Sequence, residues 1–111
     1  MADNRNQAVI ILVTAPDGET AASIGRNLVA ERLAACVNVV PGLLSIFRWE
    51  GAVQDEDEVL MLVKARREDV DTIAARVREL HPYEVPEVVA TEIVAGLTAY
   101  LDWITGETER G

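Results

Sequence analysis

Residues 34–49 read Ala34-Ala35-Cys36-Val37-Asn38-Val39-Val40-Pro41-Gly42-Leu43-Leu44-Ser45-Ile46-Phe47-Arg48-Trp49. β-Branched and apolar residues crowd both halves of this run, and Pro41-Gly42 breaks it in the middle. A proline inside a strand belongs at an edge or a bulge, where its missing N–H costs no ladder bond. We therefore read one long, bent strand rather than two separate elements. Glu50-Gly51-Ala52 then turns the chain. After Val53-Gln54-Asp55-Glu56-Asp57-Glu58, the run Val59-Leu60-Met61-Leu62-Val63 is apolar on both parities, as a strand covered on both faces requires. The two strands make a hairpin, and the acidic cluster 55–58 is expected in its solvated turn, where charge discourages edge pairing.

Upstream, Ala8 to Val13 is a second strand apolar on both parities, ended by Pro16-Asp17-Gly18. Asp17 can cap a helix whose stripe is Ala21, Ile24, Leu28, Val29 and Leu33, reaching about Arg32 or Leu33. Downstream, Val70, Ile73, Val77 and Leu80 recur at helical spacing, and Pro82 stops that helix. Val85 to Val94 reads as a fourth strand with Pro86 near its start, and Leu97 to Ile104 as a short C-terminal helix. The chain of 111 residues is one domain, expected over 8–105, with a disordered segment 1–7 and a frayed tail 106–111. The order β-α-β-β-α-β plus a last helix is an α+β, split βαβ pattern of the ferredoxin-like kind. Its two central strands are the first and third, the two that are apolar on both parities. Two helices cover one face of such a sheet, so the other must be buried by an oligomer. Covering roughly 500 Å² of apolar surface per subunit would favour association by about 12 kcal/mol before association entropy is subtracted.

The ten basic and nineteen acidic residues leave a net charge of −9, which argues against nucleic acid and for cations as partners. No apolar run approaches the roughly 18 residues that span a bilayer, and the first residues carry no secretory signal, so the expected place is the cytoplasm and no membrane partner is expected. One cysteine, Cys36, excludes an intramolecular disulfide. The segment Leu80-His81-Pro82-Tyr83-Glu84-Val85-Pro86-Glu87 holds the only histidine between carboxylates. His81, Glu84 and Glu87 form a candidate metal site, since imidazole and carboxylate suit copper or zinc. The plainer reading is a histidine that bonds the free carbonyls of a helix end. Cys36, Trp49, Lys64, Tyr83, Glu84 and Trp103 are candidates for a ligand pocket between subunits, against the plainer reading of core and interface anchors. No nucleophile is paired with a base and no phosphate loop is present, so no enzyme is expected.

The segments ERLAACVNVVPG, SIFRWEG, HPYEVPE and YLDW, in this order and spacing, resemble the signature segments of the CutA divalent-ion tolerance family. The resemblance runs from about Val9 to Ile104. It implies a ferredoxin-like subunit in a homotrimer, whose long second and third strands pair with those of neighbours. It also implies a role in tolerance of copper(II) or another divalent cation, as a ligand not needed for the fold, and an architecture like that of the PII signalling proteins. A PII-like module holding a small ligand between subunits is the alternative function. Three positions depart from the family pattern. Val13 and Leu80 stand where some bacterial members carry a cysteine and a second histidine, and Leu97 stands where asparagine or aspartate is frequent.

Overall fold

The computed structural model describes residues 7–110, in the order β1 (Ala8–Ala15), α1 (Gly18–Ala30), β2 (Ala34–Trp49), β3 (Ala52–Arg66), a 3-10 turn (Arg67–Asp69), α2 (Val70–Leu80), β4 (Val88–Glu92) and α3 (Thr98–Glu107). The strands form one antiparallel sheet in the order β2-β3-β1-β4, so the two strands that are apolar on both parities lie at its centre. No helix among the described residues is long and apolar enough to cross a membrane.

β2 is continuous from Ala34 to Trp49, and its ladder with β3 slips between Val40 and Leu43, where Pro41-Gly42 forms the expected bulge. Gly42 has φ +83°, a conformation glycine adopts without a Cβ penalty. Glu50 and Gly51 both have positive φ, as a two-residue primed turn requires. β3 begins directly after this turn at Ala52, so Asp55, Glu56, Asp57 and Glu58 belong to the strand and not to a turn. β1 reaches β3 only over Val59–Arg66, so residues 52–58 pair with β2 alone and the hairpin overhangs the sheet. The long axis of the molecule is accordingly 50 Å against 25 and 22 Å for the others.

On one face of the sheet α1 and α2 enclose the core of Val9, Ile11, Val13, Met61, Val63, Ile24, Leu28, Ile73 and Val77. Asp17 caps α1 by accepting the Thr20 N–H at 2.7 Å. The helix stops at Ala30, two or three residues short of the expected end. The N–H groups of Arg32 and Leu33 bond the carbonyls of Val29 and Leu28, closing a Schellman motif. Arg32 takes the left-handed conformation, φ 61°, where glycine is usual, and its guanidinium is held by Glu107. β4 is also shorter than expected: continuing its register would place Pro86 opposite Ala15 with no N–H to give.

α3 covers only one end of the opposite face, packing Leu101 and Ile104 on Ala8 and Ala35. It is anchored by Arg66, whose guanidinium donates to the Thr105 carbonyl at 2.6 Å and the Thr108 hydroxyl at 3.0 Å. The tail expected to fray from residue 106 is instead fixed through Arg110. Thr108 is 2% exposed, and Arg110 donates to both carboxylate oxygens of Asp69 and to the Arg32 carbonyl. Asp69 precedes α2 yet gives it no side-chain cap, because its carboxylate is committed to Arg110. Of the expected disordered segment 1–7, residues 1–6 lie outside the described residues, and the Gln7 carbonyl accepts the Arg67 N–H at 2.6 Å. Arg110→Ala leaves the buried Asp69 carboxylate without its partner and is expected to lower stability by about 1–2 kcal/mol. Urea denaturation of the variant beside wild type measures this.

Candidate functional site

The turn after α2 is organised by His81, the C-cap residue of that helix. Its own N–H bonds the Val77 carbonyl at 2.8 Å, and its ring turns inward to 7% exposure. Nε2 lies 2.7 Å from the Thr14 carbonyl, just beyond the last β1–β4 pair, and Nδ1 lies 3.1 Å from the Tyr83 backbone nitrogen. An amide can only donate and a carbonyl can only accept, so Nδ1 accepts, Nε2 carries the proton and the ring is neutral. The Tyr83 ring packs 4.6 Å from that of His81 and donates its hydroxyl to Glu58 Oε2 at 3.0 Å. Glu58 is 8% exposed, the one carboxylate of the acidic cluster drawn inside. Burial, the bond to Glu58 and the negative charge around it raise the Tyr83 phenol to about 12.

His81 is therefore a cross-link between β1 and the turn. Both ring nitrogens are engaged, while Glu84 and Glu87 stand exposed. The structure does not bring these three together. Among the described residues no three His, Cys, Asp or Glu side chains form a group that could hold a metal ion. One chain thus presents no chelate at His81. Val13 is fully buried and Leu80 packs against the same core, so both departures from the family pattern serve apolar packing. Leu97 starts α3 without a side-chain cap and is 74% exposed.

The residues expected around a pocket separate into three places. Trp49 lies at the end of the overhanging hairpin, opposite Ala52, and is 46% exposed. Tyr83 and Glu84 belong to the His81 turn. Cys36 and Lys64 face each other across β2 and β3 on the open side of the sheet. The Lys64 ammonium donates to Asn38 Oδ1, which the Cys36 thiol also approaches at 3.8 Å. Tyr100 lies against Cys36, and burial together with the electrostatic and hydrogen-bonding influence of that sulfur raises its phenol pKa. Trp103 packs on Tyr100 with ring centroids 5.5 Å apart. Asn38 and Glu58 were missing from the expected set. Asn38 is two residues from Cys36 on one strand and so shares its face, which strand alternation could have revealed. The burial of Glu58 had no sequence signal apart from its place at the inner end of the acidic run.

The described chain is an α+β domain of one antiparallel sheet and three helices, with a buried polar cross-link at one end of the sheet and one of its faces left largely open. It belongs to the CutA1 divalent ion tolerance protein family, whose profile matches residues 9–107. A Divalent-cation tolerance protein CutA of Thermus thermophilus is 50% identical over 99 residues, covering 89% of this chain and 96% of that protein. The chloroplastic protein CutA of Arabidopsis thaliana is 39% identical over 101 residues, 91% of this chain but 56% of the plant protein, so the chain spans about half of that longer relative. Among solved structures, CutA1 of Oryza sativa superposes with a TM-score of 0.92 at 36% identity, covering 98% of this chain and all of that one. CutA of Xylella fastidiosa superposes with a TM-score of 0.89 at 40% identity, over 93% of this chain and 99% of that one.

Because the folded-state pKa of Tyr83 is raised above its ordinary 10, its contribution to stability is complete below pH 10 and lost as pH rises toward about 12. Tyr83→Phe should be less stable than wild type by about 1 kcal/mol at pH 8. The gap should narrow between pH 10 and 12, as chemical denaturation across that range measures.

Proposed function

We propose that this chain acts in the cytoplasm as a homotrimeric divalent-cation tolerance protein of ferredoxin-like subunits, responding to copper(II)-type ions without catalysing a reaction. The observation that carries the reading is the open sheet face. Leu12, Leu60, Leu62, Val40 and Val89 share that face by register, and no helix among the described residues covers them. Beyond it the hairpin continues that row with Phe47 and Trp49, 37 and 46% exposed, and carries Leu44, Ile46 and Val53 on its other side at 58, 68 and 68%. So much exposed apolar surface is what an obligate interface looks like before its partner is added. The cation role is supported by the Thermus relative, named a Divalent-cation tolerance protein, and by the net charge of −9. With His81 committed to hydrogen bonds, the exposed carboxylates Glu84 and Glu87 are the ion's ligands from this turn, completed by a neighbouring subunit.

Light scattering is expected to give three times the mass of the 111-residue chain. Leu62→Asp, which puts a carboxylate in the centre of the open face, is expected to yield monomer; a monomeric wild type would overturn the assembly. Calorimetric titration of copper(II) and zinc(II) should show binding weakened about tenfold by Glu84→Gln combined with Glu87→Gln. Unaltered binding in that variant removes the assigned ligands.

A second reading, a PII-like module holding a small ligand between subunits, is favoured by one further observation: the only lysine of the chain stands on the open face.

A further inference from the structure

We propose that Lys64, with Asn38, Cys36 and Tyr100, forms a recognition site for the carboxylate of a small organic acid. The proposal rests on the small-ligand reading and names the chemistry of the ligand. Lys64 is half-buried, with Ile10 and Cys36 as cross-strand neighbours and Leu62 next on its own face. It is the cation that this face leaves unneutralised. Arg66, one position further along the same face, already donates to the Thr105 carbonyl, the Thr108 hydroxyl and Glu68. Lys64 bonds only Asn38, and no carboxylate among the described residues pairs with it.

An ammonium carries three donors and no acceptor, so two remain after the bond to Asn38. Asn38 spends its one acceptor oxygen on Lys64 and the Cys36 thiol, which leaves its two amide N–H donors unspent. The cluster is thus rich in donors, poor in acceptors and positive, on a chain whose net charge is −9. Covering the face on assembly would take the ammonium out of water, a loss that only an anion in contact offsets. Tyr100, 41% exposed, stands beside Cys36 with the 42% exposed Trp103 packed on it, an aromatic pair suited to the carbon body behind a carboxylate. The acidic residues 55–57 of the same chain sit on the overhang, at least seven positions along β3 from Lys64, and cannot serve it from within the subunit.

The single lysine makes the test direct. Assembled protein labelled with 15N-lysine should show one ammonium signal, and millimolar acetate, succinate or benzoate should move it, with a parallel rise in melting midpoint beyond that given by sodium chloride at equal ionic strength. Lys64→Met should weaken the carboxylate effect tenfold or more. Asn38→Asp, which supplies a competing carboxylate in place, should abolish it while preserving the lysine, and carries the test if the first variant fails to fold. Carboxylates acting no differently from chloride, or acting equally on both variants, would sink the proposal. So would a lysine signal that moves in Asp55→Asn/Asp57→Asn, since a neighbour's hairpin would then hold the ammonium. Nucleotides or neutral metabolites shifting the midpoint where carboxylates do not would overturn the ligand class and spare the small-ligand reading; a folded trimer that nothing shifts would overturn both.

Discussion

The hydrogen-bond ladder between β2 and β3 runs from Ala34 opposite Ala65 to Trp49 opposite Ala52 and holds Cys36 opposite Lys64, slipping only beside Ala35 and at Pro41-Gly42. Sliding this ladder by one residue would turn every side chain of one strand to the other face. Met61 and Val63 would leave the core under α1 and α2, and Leu60 and Leu62 would enter it. The bulge absorbs the extra chain that Pro41-Gly42 adds and lets the overhang continue in register past the end of β1. One backbone constraint therefore sets the composition of both faces, the length of the overhang and the position of the only lysine.

That constraint also leaves one face of the sheet largely open among the described residues. α1 and α2 complete one face, whereas α3 is short and is tied by Arg66 and Arg110 to the end of the other. Lengthening α3 could not cover the remaining apolar rows, because the clamp at Thr105, Thr108 and Asp69 fixes where the helix ends. The helix that this clamp anchors carries Tyr100 against Cys36 and Trp103 against Tyr100, so the C-terminal tail helps to position the aromatic side of the lysine cluster.

The strand order, the long bent β2 and both amphipathic helices were legible in the sequence because each rests on local pattern: parity in β1 and β3, helical spacing in Val70, Ile73 and Val77, and a proline placed where a bulge tolerates it. The errors fall where tertiary partners overrule local preference. Arg32 ends α1 in a conformation arginine rarely takes, held there by Glu107 from far along the chain. The acidic run looked like a turn because its charges suggest solvent, yet Glu50-Gly51 alone makes the reversal. Residues 106–110 looked frayed because they are polar, and polarity says nothing of Arg110 reaching a buried Asp69. Of the site residues, the proximity of Cys36 and Lys64 follows from the ladder. The separation of Trp49 and Tyr83 from them does not appear until the overhang is measured.

His81 shows how a residue type can mislead in a motif of this kind. A lone histidine between glutamates suggests a ligand, but a ligand needs a free nitrogen, and here the Thr14 carbonyl and the Tyr83 amide occupy both. The flanking residues agree: Val13 and Leu80, which replace potential ligands of other family members, are packed in the apolar core. Within the described chain both imidazole nitrogens are therefore spent on the backbone, whereas the carboxylates of Glu84 and Glu87 remain exposed.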